Sequence, residues 1–227
     1  MKRPAPLAGL WQSDKGLSAM LVFLCLGLFV GAPLSDAGSG GQLFFDVMFS
    51  LLLVSGVVTM ARRRLLTGVV AVLAAATLVL RWGSFRSPDS ALRFGGDALS
   101  IVLLAILAVL VLVQVFREGP ITVYRIQGAI VVYLLAGFAW AAAYELVYRA
   151  WPGAFQFAQH VAGEGRISHG LLYYSFVTLT TLGYGDITPV HPAARSLAIG
   201  EALVGQLYPA ILIARLVSMR ISSRREA

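Results

Sequence analysis

The chain is poor in the residues from which enzyme sites and soluble surfaces are usually built. Only one of its 227 residues is a cysteine, Cys25, and it lies inside an apolar run. An intrachain disulfide is therefore excluded, and a cysteine-based metal or redox site is not credible. Charged residues make up 13% of the chain against 58% hydrophobic ones, and mean hydropathy is +0.79, which excludes an ordinary soluble domain. His160, His169 and His191 stand apart from any carboxylate or cysteine at metal-ligand spacing and are read as turret and cap residues on the outer side. Serine, histidine and aspartate are present, but no nucleophile elbow or paired acid and base is found among them, so neither an enzyme nor a cofactor is expected. The net charge of +7 does not indicate nucleic acid. The basic residues gather beside apolar runs, where orientation in a bilayer and contact with anionic lipid explain them.

What the chain has in abundance is apolar sequence in lengths suited to a lipid bilayer, which takes about 20 helical residues to cross. Six spans are expected, at 17–32, 43–60, 65–80, 98–116, 125–148 and 193–219. Pro33 to Gly41 and Gly83 to Gly96, rich in Gly, Ser and Pro, are expected as turns on the outer side. The first run also has the basic start and apolar core of a secretory signal. No good small-x-small cleavage site follows it before Pro33, and a retained span is preferred. Six spans place both termini on one side, and most of the 18 lysines and arginines fall there, which makes that side cytoplasmic. Short loops and overall economy favour a prokaryotic cytoplasmic (inner) membrane. The fourth span lacks the arginine at every third position that a voltage sensor needs, where each charge moved through 100 mV supplies about 2.3 kcal/mol. Residues 1–120 are thus expected as a four-helix domain without voltage-sensing chemistry. Asp46 and Asp97, near outer span ends, are read as ordinary interfacial acids in preference to relics of charge partners.

Residues 121–227 are organised around Thr-Thr-Leu-Gly-Tyr-Gly-Asp at 180–186. Backbone carbonyls can replace a cation's hydration shell only if successive oxygens face a shared axis, which needs dihedrals of alternating sign. Gly183 and Gly185 take positive φ without a Cβ penalty. Leu182 and Tyr184 then point outward as struts, and the Thr181 hydroxyl adds an oxygen at the inner end. Ring geometry demands four such strands; this chain supplies one, so a homotetramer is expected.

These residues resemble the signature of potassium channels, and the likeness covers Arg125 to Arg220. It assigns 125–148 as outer helix, 169–180 as pore helix with Ser168 as its N-cap, 181–186 as filter and 193–219 as inner helix. The fold implied is an all-α membrane protein of six transmembrane helices. A re-entrant pore helix and filter lie between the fifth and sixth, and four chains assemble around a four-fold axis. The resemblance implies K+ coordinated by Thr181, Leu182, Gly183, Tyr184 and Gly185, with Thr180 in support and Asp186 bonded to Tyr173 or Tyr174 in preference to standing free at the outer mouth to concentrate cations. Related non-selective channels carry an acid where this chain has Tyr184. The pore helix is expected to aim the negative end of its dipole at the centre of the assembly.

Gly200, Gly205 and Pro209 of the sixth span are hinge candidates, with close packing against the pore helix as an equal alternative. Glu201 is read as a hydrogen-bond partner of the pore-helix region or as an attractor of ions. No gating stimulus is assigned. Two other functions compete: a potassium-uptake transporter subunit, which would carry four degenerate pore loops in one chain, and a non-conducting or modulatory subunit of another pore.

Overall fold

The computed structural model describes residues 14–31, 34, 39–59, 64–86, 90–117, 122–158 and 164–225. Its helices are α1 (Asp14–Leu26, continued by a π-helical turn over Gly27–Gly31), α2 (Ser39–Thr59), α3 (Arg64–Arg86), α4 (Ser90–Val115), α5 (Val123–Ala150), α6 (Glu164–Leu179) and α7 (Pro192–Arg225). Two short strands, β1 (Phe155–Phe157) and β2 (Ile187–Pro189), flank α6. Three stretches are long and apolar enough to cross a bilayer, Ala91–Val115, Val123–Ala150 and Pro192–Ser218. Gly16–Gly31, Leu43–Val57 and Thr67–Gly83 are shorter apolar helices.

Packing follows from a pattern in which a helix is apolar on every face, one face for protein and the other for lipid. On α4, Leu103, Leu104, Leu107, Val111 and Val115 are buried at spacings of three and four, while Val102, Val109 and Val113 on other faces are exposed. The buried stripe seats α4 along α5, which also contacts α1, α6 and α7 and so joins the N-terminal helices to the rest. Leu17, Met20 and Leu24 of α1 lie in the same core as Val131, Val132 and Leu135 of α5. Hydroxyls in these apolar helices bond back to carbonyls of their own helix, Thr77 to Leu73 at 2.8 Å and Ser100 to Gly96 at 2.7 Å, which satisfies these two groups without water.

The structure corrects the expected outer loops. The Gly83 to Gly96 turn shrinks to a short gap, because α3 runs to Arg86 and α4 begins at Ser90. Gly95 and Gly96 are helical and lie against Leu80 and Arg81, so here glycine permits close helix contact rather than a turn. Ser39 to Gly41 are likewise helical at the start of α2.

Asp46 and Asp97 are also corrected: both are paired. Asp46 meets Arg81 at 2.8 Å, joining α2 to α3, and Arg81 also lies 4.6 Å above the Phe49 ring. Asp97 meets Arg149 at 2.8 Å, joining α4 to α5, with Glu145 3.9 Å from the same guanidinium. Sequence order places all of these groups at the bundle end nearest the α5 to α6 connection. Because Asp97 and Arg149 are only 9% and 26% exposed, removing one partner leaves a poorly solvated charge. Asp97→Ala is expected to destabilise the protein by about 2 kcal/mol, seen as a lower melting temperature in detergent. Adding Arg149→Met should recover part of the loss; a double variant no more stable than the single one would rule out this pairing as the cause.

Candidate functional site

The site begins with α6, whose 16 residues span about 24 Å, short of the roughly 30 Å hydrocarbon thickness of a bilayer. Packed between α5 and α7, it buries Leu171, Leu172, Tyr174, Ser175, Val177 and Leu179. It begins at Glu164, so Ser168 lies within it and is not the N-cap. His169 is no turret residue either: it is buried, edge-on to Phe45 at 5.1 Å. His191 does act as a cap, its Nδ1 accepting from the Ala193 N–H at 3.2 Å with its ring stacked on Trp151. His160 lies outside the described residues.

Helix α6 ends in a turn that ties up its last carbonyls. Phe176 accepts from the Thr180 N–H, Thr178 from the Thr181 N–H, and Val177 from those of Leu182 and Gly183. The Leu179 carbonyl accepts from the Tyr133 hydroxyl at 3.2 Å. The last carbonyls of α6 are therefore hydrogen-bonded within the protein.

Beyond the turn the chain runs through 180–186 in an alternating backbone. Thr181 has φ 60°, Gly183 55° and Gly185 78°, and among the described non-glycine residues only Thr181 has positive φ. The glycines adopt this freely, whereas a β-branched threonine in the left-handed region carries strain of about 1–3 kcal/mol. Residues 180–186 are all exposed in the single chain, Leu182 at 59% and Tyr184 at 67%.

The far end of this segment is pinned by a two-stranded antiparallel sheet in which Phe155, Gln156 and Phe157 pair with Pro189, Thr188 and Ile187. Ala158 N–H donates to the Asp186 carbonyl and Val190 N–H to that of Ala154, both at 2.8 Å. The Asp186 carboxylate accepts from the Ile187 N–H at 3.1 Å and lies beside the Tyr173 hydroxyl. Tyr174, the other proposed partner, packs edge-on against Tyr144 and Phe155 instead, at 4.9 and 5.5 Å. It supports α6 and not Asp186.

Helix α7 closes the inner side. Fully buried Glu201 accepts from the Tyr144 hydroxyl of α5 at 2.5 Å and is hydrogen-bonded at 2.5 Å to the Ser175 hydroxyl of α6, which also meets the Gly137 carbonyl of α5 at 2.8 Å, and so bridges three helices. Of its two readings, the hydrogen bond to the pore-helix region is the arrangement present. Gly205 lies so close to α6 that a Cβ would stand 1.8 Å from the Leu179 oxygen, and one at Gly200 would be 3.3 Å from Trp140. Both glycines serve close packing, and α7 runs unbroken through Pro209. One position beyond Gly205, the Gln206 side-chain amide donates to the Thr181 hydroxyl at 3.3 Å.

Sequence reasoning missed Gln206, Tyr133 and the sheet. The alternation in Phe-Gln-Phe opposite Ile-Thr was the available signal for the strands. Nothing local announces that Gln206 and Thr181, 25 residues apart, meet. Among the described residues no group of three or more His, Cys, Asp or Glu is placed to hold a metal ion; oxygens for a monovalent cation would come from the 181–185 backbone.

Two substitutions test this scaffold. Glu201→Gln preserves a bridging polar group, whereas Glu201→Leu leaves the Tyr144 hydroxyl without this acceptor at about 1–3 kcal/mol, the Ser175 hydroxyl keeping the Gly137 carbonyl; equal melting temperatures for the two variants would contradict the bridge. Gly205→Ala should separate α7 from α6 and abolish a monodisperse assembly in size-exclusion chromatography, while an unperturbed elution profile would show that the contact yields at little cost.

Comparison with known proteins places these features. Residues 121–221 match the family described as ion channel. The chain is 42% identical over 71 residues to two pore potassium channel c of Oryza sativa subsp. japonica, covering 31% of this chain and 15% of that one. It is 37% identical over 86 residues to protein LctB of Bacillus caldotenax, covering 37% and 62%. Against LctB of Geobacillus stearothermophilus it is 50% identical over 46 residues, covering 20% and 34%. The chain thus spans less than two thirds of the length of each of these relatives. No solved structure gives a significant match. A short buried helix and an exposed segment carrying Gly-Tyr-Gly thus fall within residues 121–221, the stretch that matches the ion channel family, and a potassium channel is among the proteins that the chain resembles.

Proposed function

We propose that this chain is the pore-forming subunit of a potassium-selective channel that conducts K+ passively through a homotetramer. The observation that carries the reading is the alternation of φ sign at 181, 183 and 185 on an exposed strand directly after a helix too short to cross a bilayer. Such an alternation would bring successive carbonyls of Thr181, Leu182, Gly183, Tyr184 and Gly185 to one side, where four copies would form rings replacing the shell of a dehydrated K+. Thr180 and the Asp186 to Tyr173 contact would hold the two ends of the row. The printed name of the rice relative, a potassium channel, supports K+ as the permeant ion. The absence of an acid at position 184 supports the same choice.

The exposed surface supports assembly with further copies. Ile199, Leu203, Leu207, Ile211 and Ile213 of α7 are apolar and more than half exposed, as are Leu182 and Tyr184. These groups surround the proposed path, where neighbouring copies and not lipid would cover them. The three shorter apolar helices complete six spans, with both termini cytoplasmic in a prokaryotic inner membrane and basic ends against anionic lipid. Because α1 contributes Leu17, Met20 and Leu24 to the core, it fits a retained span better than a cleaved signal. The ion-channel match favours a channel over an enzyme. The single pore loop disfavours an uptake transporter subunit.

The test is the mass of the purified assembly together with potassium flux from liposomes for the unmodified protein and Tyr184→Asp. A tetramer that releases K+, and whose preference for K+ over Na+ disappears on substitution, is the expected result. A monomer, or a tetramer that passes no ion at any voltage or pH, would favour a modulatory subunit that assembles with another pore.

A further inference from the structure

Building on the channel reading above, we infer that Gln206 is a positioning residue for the inner end of the ion path, setting the orientation of the Thr181 hydroxyl and adding an amide oxygen of its own beneath it. Thr181 is the strained member of the strand, a β-branched residue at φ 60°. Its N–H is held by the Thr178 carbonyl and its hydroxyl accepts from the Gln206 amide at 3.3 Å. Gln206 is itself firmly placed. The preceding residue is Gly205, whose missing side chain lets α7 lie against the Leu179 carbonyl, and the Tyr133 hydroxyl of α5 bonds the same carbonyl. Two helices thus fix the end of α6 next to the pair.

Surroundings and hydrogen-bonding capacity give the pair its role. On α7 the exposed residues around Gln206 are Leu203, Val204, Leu207 and Ala210, so the amide is an isolated polar group on an apolar face. Such a group at membrane depth is costly unless it meets water or an ion. A hydroxyl has one proton and two lone pairs. Accepting from Gln206 uses one lone pair and leaves the other for a cation at the inner end of the row. The Gln206 carbonyl oxygen, an acceptor only, is then available to a cation that still holds part of its hydration shell. Four copies would supply a ring of amide oxygens below the ring of threonine hydroxyls, a site for a partly dehydrated monovalent cation.

Gln206→Leu, close in volume but without the amide, should weaken block by internal Ba2+ about tenfold, the most that one neutral hydrogen bond is worth, and alter the Rb+ to K+ permeability ratio. Ba2+ is chosen because it is close to K+ in size and reads the innermost oxygens. Assembly and melting temperature should remain those of the unmodified protein, which separates this role from a structural one. Thr181→Val should also weaken block, and the double variant should lose less than the sum of the two single effects, since the hydrogen bond between the two side chains is removed by either substitution. Should Gln206→Leu fail to assemble, Gln206→Asn, shorter by one methylene, carries the same test. Unchanged block and permeability ratio in a conducting Gln206→Leu tetramer, or strictly additive effects in the double variant, would overturn the inference and leave the channel reading standing. Absence of flux from the unmodified protein would instead overturn the reading beneath it.

Discussion

Irregular backbone cannot lie in hydrocarbon with its polar groups unsatisfied, and the C-terminal half of this protein is arranged around that constraint. After α6 the chain leaves helical geometry over 180–186. Its N–H groups are drawn back to the last carbonyls of α6 at the near end, and at the far end the two-stranded sheet takes over. In the proposed reading the carbonyls of 181–185 face one side, where water or a cation satisfies them, and the requirement that forbids such a strand in lipid selects a pathway for ions.

The supporting contacts follow from the same constraint. A strand held open by strain at Thr181 needs rigid neighbours, and these come from side chains that would be liabilities elsewhere in a membrane. Glu201 is a carboxyl group inside an apolar helix, neutralised as a structural cost by hydroxyls from α5 and α6. Gly205 removes a side chain where α7 must touch the end of α6. The N-terminal helices attach to this unit through α5, by an apolar stripe along α4 and by the Asp97 to Arg149 pair. Among the described residues their contribution is to packing.

Much of this was legible in the sequence because it is written in short-range chemistry. Gly183 and Gly185 announce positive φ, and the long apolar runs announce helices. Thr181 at positive φ could not be read, since a β-branched residue argues against that conformation and only its tertiary contacts impose it. Gly83 to Gly96 misled for a related reason: glycine signals either a turn or a close approach, and the second depends on Leu80 and Arg81 of another helix. The choice between Tyr173 and Tyr174 as partner of Asp186 turned on the rotation of α6, which adjacent residues cannot reveal. Likewise the pairing of Asp46 and Asp97 with arginines of neighbouring helices depends on how α2 to α5 stand side by side.

The central claim is that the 181–185 backbone discriminates among cations of equal charge by replacing the hydration shell of one of them. The most direct measurement is the reversal potential of the unmodified protein in a planar bilayer with K+ on one side and Na+ on the other. The account predicts a current that reverses only at a large potential, of the sign that opposes K+ flow. Reversal near zero, with ions passing, would contradict it.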